Sequence, residues 1–524
     1  MKKYFSYIAI LLIFFATGCL EEGTPLFSIR NIHSKIMVTN DSAYLNLSAE
    51  IDTATFRGIE YAEIQGNIYD ISDSVELVSY GHCWRVNSTE DTTLLYYPVI
   101  TDSRSYFDIK SDTVETSPDE KQFTFKSDLM ALEIEHQYFV RSFVLTRNKN
   151  TGKIDTGYNQ TVTKFNTKIP QDVWFYIGDL QQGDVREDAT SFVLNEDGKD
   201  YAYFTTGWDG FQLKDDTWKY DYETNTWQQK AQFRGGDREK AVAFVIDKGM
   251  GKGEEAYVGT GSSDHYDPKP ERDIYKYNPG QNLWSTGIDS LQENTERYDA
   301  VAFTLTVQNE EGNDVQKGYI ALGKRTYPRD DIYEYDYESD TAGHPYSAWT
   351  KKDLYPGGVR SEAVVAVINN QAVVGFGLTR SSTTSEELYT NDFYIYDPTN
   401  TSNTWRSITN CPGEPRANAI AFGLSFERDG IQNNLIYVGT GRGDNNGADT
   451  LYNDLWAYDL NQNMWLPKSE IREDFIIAFA REGAIAFTIN KDDVFYGTNI
   501  RGFVTLGRNK EGTSGMTKLW EYLP

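Results

Sequence analysis

Six arginines recur through the C-terminal two thirds of this 524-residue chain, each three residues before a small residue and a short apolar run. They are Arg186, Arg238, Arg297, Arg360, Arg416 and Arg481. A guanidinium group binds a carboxylate or phosphate through two parallel hydrogen bonds. If each arginine precedes the innermost strand of a repeat, the six lie around the mouth of a central channel and can bind an anionic ligand. The alternative is a structural pair with the aspartate that precedes each aromatic strand, namely Asp216, Asp273, Asp331, Asp392 and Asp454.

Other catalytic and metal-binding patterns are absent from the sequence. It contains no nucleophile elbow, no zinc-protease helix motif and no phosphate-binding loop. His265 and His344 are separated in the repeat region, so we expect neither a metal nor a cofactor. The acidic segments 264–267 and 444–449 offer hard oxygen ligands, but their spacing matches no known calcium loop. A pair of glycosidase carboxylates stays open, because that spacing is spatial.

The elements that must position the arginines form a repeat with two further recurring segments. The first is a small apolar strand that ends at glycine or close to it, at 203–207, 257–261, 319–323, 373–377, 437–441 and 494–498. The second is an aromatic strand, at 216–220, 273–277, 331–335, 392–396, 454–458 and 518–522. Repeats of roughly 40–60 residues predict a propeller, a solenoid or an array.

A tryptophan follows the aromatic strand in five copies, at Trp227, Trp284, Trp349, Trp405 and Trp465. The sixth copy ends at Pro524, and the matching tryptophan is Trp174, just before the first repeat. A ring of four-stranded blades closes without an open edge if segment 171–180 completes the last blade. The sequence therefore predicts a circularly closed six-bladed β-propeller.

These repeats resemble the kelch family, whose repeat has a glycine-ended second strand, a tyrosine-rich third strand and a tryptophan on the fourth. The resemblance covers residues 171–524 and implies a six-bladed kelch-like β-propeller. It departs from the family where Gly-Thr-Gly or Leu-Gly stands in place of the usual glycine pair.

Residues 25–168 lack the repeat and alternate apolar with polar residues in several short runs, which predicts a β-sandwich. Two local patterns resemble the Ig-like or fibronectin type III-like modules of bacterial surface lipoproteins. They are segment 81–84, and segment 138–144 leading to 162–167. That resemblance implies a spacer domain with Trp84 in its core. The expected fold class is all-β, with a sandwich (Ig/fibronectin III-like) preceding the propeller.

The N-terminus is typical of a targeting segment. Lys2 and Lys3 precede a short apolar run that ends at Cys19, which favours a cleaved signal peptide over a membrane span. Segment 16–19 resembles the bacterial lipobox, although Ala16 stands where leucine is usual. The resemblance implies a signal peptide at 1–18, lipidation of Cys19 and a tether at 19–24. An ordinary signal peptide is the alternative.

The acidic residues after Cys19 resemble a surface-export signal of some Gram-negative lipoproteins. We therefore expect an outer-membrane lipoprotein, exposed on the cell surface or else facing the periplasm. The formal charge of −28 and pI near 4.6 argue against nucleic acid as a partner. Cys83 and Cys411 lie in different predicted domains, so they form no disulfide framework and are expected to be buried.

The expected function is non-catalytic binding of a glycan or protein on the propeller face, through variable loops on a rigid scaffold. These loops span 262–272, 324–329, 379–390 and 442–452. The alternative comes from kelch propellers that epimerise sialic acids. It implies an enzyme acting on an acidic sugar in an arginine-lined channel, with Glu187 and Glu482 as the carboxylates of interest.

Overall fold

In the computed structural model, the chain divides into two units, Met1–Pro170 and Gln171–Pro524. Every helix or strand in the part of the chain that the structure describes is a β-strand, and all the strand pairs are antiparallel. The expected signal peptide, Cys19 and the tether lie outside the described residues. The described residues are 33–40, 43–50, 55–56, 62–69, 74–86, 98, 103–108, 123–129, 137–158, 162–166, 172–180, 185–249, 253–285, 288, 290–340, 347–381, 383–384, 386–400, 404–428, 430–445, 448–470, 480–490, 500–509 and 517–524.

In its described residues, the N-terminal unit forms two five-stranded sheets. The first has the order β1-β2-β4-β3 with β7 beside β4, and the second has the order β10-β8-β5-β6 with β9 beside β8. Trp84 and Cys83 are buried on β5, as the sequence predicts. The strands are β1 (His33–Asn40), β2 (Ala43–Glu50), β3 (Thr55–Phe56), β4 (Ala62–Tyr69), β5 (Val75–Val86), β6 (Ser103–Asp108), β7 (Phe123–Leu129), β8 (Gln137–Asn148), β9 (Ile154–Tyr158) and β10 (Thr163–Asn166).

The C-terminal unit contains six four-stranded antiparallel sheets, here numbered 1 to 6. Sheets 1 to 3 are β12 (Thr190–Glu196), β13 (Lys199–Thr205), β14 (Thr217–Asp221), β15 (Thr226–Lys230); β16 (Val242–Asp247), β17 (Glu254–Gly259), β18 (Ile274–Asn278), β19 (Leu283–Ser285); and β20 (Val301–Gln308), β21 (Asp314–Ala321), β22 (Ile332–Tyr335), β23 (Trp349–Lys351). Sheets 4 and 5 are β24 (Val364–Ile368), β25 (Gln371–Gly375), β28 (Phe393–Tyr396), β29 (Trp405–Ser407); and β30 (Ile420–Arg428), β31 (Ile431–Gly439), β34 (Leu455–Asp459), β35 (Met464–Lys468). Sheet 6 is β36 (Ile485–Asn490), β37 (Ile500–Thr505), β38 (Lys518–Leu523) and β11 (Val173–Asp179).

Two hairpins leave sheets 4 and 5 between their second and third strands. They are β26 (Leu378–Arg380) with β27 (Glu387–Tyr389), and β32 (Arg442–Asn445) with β33 (Ala448–Leu451). No helix of the described residues has the length and apolar character needed to cross a membrane.

The six sheets follow one another in a closed cycle. The first strand of each sheet contacts the first strands of two neighbours, and β12 contacts β36. A glycine amide at the end of each second strand donates to an arginine carbonyl of the next sheet, over 2.7–3.0 Å. The last of these bonds, from Gly507 to Arg186, returns from sheet 6 to sheet 1. This closed ring is compatible with a β-propeller.

Hydrophobic clusters fill the interfaces between neighbouring sheets, including the interface between sheets 6 and 1. Between sheets 1 and 2, Phe192 stacks on Tyr203 at 5.2 Å and also packs against Tyr277 of the next sheet. Each fully buried aromatic side chain contributes roughly 2–3 kcal/mol by leaving water. Because each cluster is shared between two sheets, a single sheet cannot bury its own aromatic face.

The last sheet is completed by the strand that comes first in the unit. β11 pairs with β38, and Trp174 lies opposite Tyr522 with ring centroids 4.9 Å apart. The same tyrosine–tryptophan pair occurs within the other sheets, for example between Tyr220 and Trp227. The position of Trp174 in the sequence therefore predicts this pairing correctly.

One predicted segment was misaligned. Segment 494–498 lies outside the described residues, and the second strand of sheet 6 is β37, which is followed by Leu506 and Gly507. Both residues have positive φ, 62° and 92°, as do Thr206 and Gly207 in sheet 1. The dipeptide with positive φ marks this position better than the apolar run that precedes it.

Deleting residues 171–180 should lower the melting temperature of the C-terminal unit, because β38 would then expose an unpaired edge. Thermal melts followed by circular dichroism check this expectation. The matched control is Tyr176→Ala, which removes one half-exposed ring of β11 and keeps its backbone. A deletion variant that melts like the intact protein would contradict the closure by β11.

The glycines after the second strands are required by two separate constraints. Gly323 has a φ of 84°, and a Cβ there would lie 2.7 Å from the carbonyl oxygen of Tyr298. Gly312 has a similar φ of 81°, but a Cβ there would meet nothing within 4 Å. We expect Gly312→Ala to lower the free energy of unfolding by about 1 kcal/mol and Gly323→Ala by roughly 3 kcal/mol. Denaturant titrations measure both, and equal losses would show that the close approach to Tyr298 costs nothing.

Candidate functional site

The six arginines lie in the wall of the ring and not in its open mouth. Arg186 donates to both carboxylate oxygens of Asp216, at 2.5 and 2.9 Å, and to the carbonyl oxygen of Thr206 at 3.0 Å. Its side chain is 0% exposed. Corresponding ion pairs join Arg238 to Asp273, Arg297 to Asp331, Arg360 to Asp392, and Arg416 to Asp454.

The expectation that the arginines bind an anionic ligand at the channel mouth is therefore corrected. Five of them form the structural pairs with aspartate that were the alternative. A guanidinium group that is buried and bound by a carboxylate and a carbonyl cannot also reach an anionic ligand. Burial alone would raise the pKa of Asp216, but the hydrogen bond and charge of Arg186 hold it below its usual range. The Asp216 carboxyl is therefore ionised at neutral pH.

Arg481 differs from the other five because Lys518 stands where they have an aspartate. It is also fully buried, and it donates to the carbonyl oxygen of Leu506 at 3.2 Å. Burial lowers the pKa of Arg481 to about 10. Sheet 6 therefore keeps the contact between arginine and carbonyl without the aspartate.

Asp331→Asn should destabilise the ring by about 3 kcal/mol, because it leaves the buried charge of Arg297 without its carboxylate. Asp314→Asn, at an exposed position of the same sheet, should change the free energy of unfolding by less than about 0.5 kcal/mol. Urea denaturation at pH 7 compares the two variants. Equal effects would show that the buried pair contributes no more than a surface carboxylate.

The channel itself is lined by uncharged side chains. A cavity of about 320 Å³ lies among the first strands of the six sheets. Its lining includes Ser191, Val193, Ala243, Val245, Ala302, Thr304, Val365, Val367, Gly423, Ala486 and Thr488. The described residues around this cavity therefore do not form the arginine-lined channel that the sialic-acid resemblance implies.

Charged residues concentrate at one end of the channel, at the positions directly after each arginine. The residue after each arginine forms a backbone bridge with the residue after each glycine of the second strand, as Glu482 does with Arg508. The crown is the name we give to the charged residues at three positions of each repeat: one and two residues after the arginine, and one residue after the glycine. They are Glu187, Asp188, Glu239, Lys240, Asp299, Lys324, Glu362, Arg442, Glu482 and Arg508.

The backbone of the crown is held in an unusual conformation. The second residue after each arginine has a φ between 53° and 62°. Amide-to-carbonyl bonds link these residues from sheet to sheet, for example from Lys240 to Asp188 at 2.9 Å and from Asp188 to Gly483 at 2.9 Å. The positive φ turns each amide toward its neighbour around the ring. The crown side chains therefore start from a rigid frame.

Ion pairs connect the crown across several sheets. Lys324 lies 3.2 Å from Asp299 and 3.1 Å from Glu362. Arg442 contacts Glu362 and Glu482. Arg508 contacts Glu482 and also Glu187, the latter at 3.1 Å.

Burial and neighbouring charges spread the pKa values of the crown carboxyls. Burial, followed by the charge of Asp188, raises the pKa of Glu187 to about 8. Burial raises that of Asp299 to about 6 and also raises that of Glu239. Burial would raise the pKa of Glu362 as well, but Arg442 and Lys324 bring it below its usual range. Such separated pKa values are common at functional sites.

Aromatic side chains stand beside the crown on sheets 1 and 2, and we call them the aromatic shelf. Trp208 and His265 stack with their ring centroids 4.0 Å apart and an interplanar angle of 4°. Tyr266 meets both rings edge-on. Tyr266 is 83% exposed and Phe211, in the turn after Trp208, is 89% exposed. His265 therefore packs against a tryptophan and is more than a solvated loop residue.

Sequence reasoning found only part of this site. It singled out Glu187 and Glu482 beside their arginines, and the structure places both in the crown. It missed Lys324 and Arg442, which follow glycines more than twenty residues after the preceding arginines. The signal that could have found them is the position directly after each glycine, where a strand leaves the ring at the same end as the arginines.

Asp299→Asn tests the electrostatics of the crown through pH. The folded pKa of about 6 lies above the value of about 4 in an unfolded chain. The proton is therefore held more tightly in the folded state, and the stability it contributes is lost as pH rises from about 4 to about 6. Asparagine keeps the shape and tolerates positive φ. We expect the melting temperature of the wild type to fall relative to that of the variant over this range.

Thermal melts at half-unit pH steps measure this difference, with Asp314→Asn as the control for an exposed carboxyl. A constant difference for Asp299→Asn would mean that burial does not raise the pKa of Asp299.

Comparisons with known proteins show no match to a family model. No curated protein matches either. Among solved structures, one titled "Structure of YjhT" aligns with 65% of this chain and 94% of that chain, at 14% identity and a TM-score of 0.43. Among the described residues, no group of three or more histidine, cysteine or acidic side chains is placed to hold a metal ion.

Proposed function

We propose that the chain is a non-catalytic, surface-anchored binding lipoprotein whose crown and aromatic shelf recognise a glycan or a protein partner. In this proposal, residues 171–524 are a six-bladed kelch-like β-propeller and residues 25–168 are an Ig/fibronectin III-like β-sandwich. Residues 1–18 are removed as a signal peptide, and the lipid on Cys19 anchors the tether 19–24 in the outer membrane. The closed cycle of six four-stranded sheets supports the propeller assignment.

The observation that carries the binding function is the aromatic shelf beside the fixed charges of the crown. Phe211 and Tyr266 are the most exposed large hydrophobic side chains among the described residues, and exposed apolar groups that cluster mark interaction surfaces. Their turns are braced, because Asp209 accepts from the amide of Phe211 at 2.7 Å and Asp264 from that of Tyr266 at 3.1 Å. Little conformational entropy is therefore lost when a ligand binds.

A glycan fits the combination of exposed aromatic rings and fixed charges well. The apolar face of a sugar ring packs on an aromatic side chain, while its hydroxyls donate to carboxylates and carboxamides. The crown supplies carboxylates, and the neighbouring Asn418 supplies a carboxamide, which donates to Asp188 at 2.9 Å. The lipid anchor would hold the protein at the outer membrane, on the cell surface or on the periplasmic side.

A glycan-array screen of the soluble protein from residue 24 onward tests the proposal. We expect specific binding that Tyr266→Ala weakens about tenfold, because one stacking contact is lost. Leu283→Ala removes a half-exposed side chain from the last strand of sheet 2, away from the shelf, and is the matched control. A blank array would overturn glycan recognition and leave a protein partner, to be sought by cross-linking on intact cells.

A second candidate is an enzyme that acts on an acidic sugar, similar to a sialic-acid epimerase. The observation that favours it is Asp299, whose pKa of about 6 suits a general acid or base, beside the cationic Lys324. Incubation with sialylated ligands, followed by proton NMR, measures turnover. Product formation that Asp299→Asn abolishes would establish this candidate, and unchanged spectra would exclude it for those ligands.

A further inference from the structure

The mouth of the ring is uneven, and the aromatic shelf occupies one side of it. The shelf belongs to sheets 1 and 2, whereas the hairpins β26–β27 and β32–β33 belong to sheets 4 and 5. In a closed cycle of six sheets, sheets 4 and 5 lie across the channel from sheets 1 and 2. Aromatic rings also occur outside the shelf, but Tyr327 on sheet 3, which is 59% exposed, has the guanidinium of Arg380 4.2 Å from its ring centroid. The rings on different sides of the mouth therefore stand beside different charges.

The charges of the crown are divided in the same way. The half formed by sheets 3, 4 and 5 balances Asp299 and Glu362 against Lys324 and Arg442. The half formed by sheets 6, 1 and 2 carries four carboxyl groups and two cations. These carboxyl groups are Glu187, Asp188, Glu239 and Glu482, and the cations are Lys240 and Arg508. With Glu187 protonated, in keeping with its raised pKa, and the other groups ionised, the half that holds the shelf is negative by one charge.

Glu239 joins the shelf to this negative half through His265. The Oε2 atom of Glu239 lies 2.9 Å from Nδ1 of His265, and the glutamate side chain is 3% exposed. When the imidazole is neutral, Nδ1 donates its proton to the carboxylate, so Nε2 is left as a hydrogen-bond acceptor. The His265 side chain is 29% exposed. Through this hydrogen bond, the negative charge of the buried Glu239 makes Nε2 of His265 a stronger acceptor for a ligand at the surface of the shelf.

We propose that the aromatic shelf and the Glu239–His265 pair bind a sugar ring that carries a protonated amino group. This inference rests on the proposed glycan-binding function and names the class of glycan. The ammonium group donates to Nε2 of His265 and is attracted by Glu239 and Asp188. The sugar ring packs on Tyr266 and Phe211, and a cation beside aromatic faces gains further attraction.

The pKa directions of the crown support this division of charge. The pKa values of Glu187 and Glu239 are raised first by burial and next by the charge of Asp188, and nearby cations do not reverse this. In the opposite half, the cations around Glu362 overcome burial and lower its pKa. A bound ammonium ion on the side of the shelf would favour the ionised forms of Glu187 and Glu239.

Isothermal titration calorimetry with two matched oligosaccharides tests the inference. One is a tetrasaccharide of β-1,4-linked 2-amino-2-deoxyglucose and the other is its fully N-acetylated counterpart, at pH 6.5 and 0.15 M salt. We expect the amino form to bind about tenfold more tightly. Glu239→Gln, which keeps the side-chain shape, should remove this preference, and Tyr266→Ala should weaken both ligands. Glu223→Gln removes an exposed charge at the far turn of sheet 1 and should leave the preference unchanged.

Three results would overturn the inference. Equal or tighter binding of the N-acetylated form would reject the ammonium requirement and leave glycan binding intact. Equally tight binding of tetralysine, with the same loss in Glu239→Gln, would show that the site selects an amine without a sugar ring. No binding of either oligosaccharide rejects the inference, and the glycan array then decides whether glycan recognition itself survives. Melting temperatures near that of the wild type show that the variants are folded.

Discussion

The buried arginine is the interaction on which the ring depends. Its guanidinium group fastens the end of the second strand and the aspartate that opens the third strand, as Arg186 does with Thr206 and Asp216. Its own carbonyl accepts an amide from the preceding sheet, as Arg238 does from Gly207. One residue thus holds its own sheet together and joins it to a neighbour. Burying a charge is costly, and the carboxylate and carbonyl oxygens offset this cost.

The same arginine places the functional end of the ring. The two residues that follow it must turn at the mouth, and the second takes a positive φ in all six copies. The repeat therefore delivers twelve residues to one rim, and their types differ from copy to copy. The first of the two is Glu482 in sheet 6 and Ala417 in sheet 5, and the second is Gly483 in sheet 6 and Glu362 in sheet 4, on the same frame.

The difference between the two sides of the mouth follows from variation outside the repeat core. The turns that bear Phe211 and Tyr266 are short and braced by aspartates, whereas sheets 4 and 5 extend their loops into hairpins. The features that all six repeats share give the ring a rigid rim and an uncharged channel. The loops that differ between repeats form the recognition surface, so the candidate site lies at the rim and not inside the channel.

Much of the architecture of the C-terminal unit follows from the sequence alone. The glycine, tyrosine and tryptophan positions are local requirements of backbone φ and cross-strand packing, so they recur visibly and predict six sheets and the use of Trp174 in the last. The misaligned segment 494–498 shows the limit of this reasoning, because an apolar run alone does not distinguish neighbouring strands. The role of the arginines was open in the sequence, which offered both a ligand and a structural partner.

Only the tertiary structure decided between these two roles of the arginines. The burial of Arg186 and the approach of Asp216 to it depend on how strands thirty residues apart pack. The crown and the shelf were likewise beyond the sequence. They join residues from all six sheets, such as Glu239 with His265 and Glu362 with Arg442. The crown positions recur with each repeat, but the repeat does not show which of their side chains pair, because ring closure brings them together. The sequence determines the repeat, and the closed ring determines which of its side chains meet.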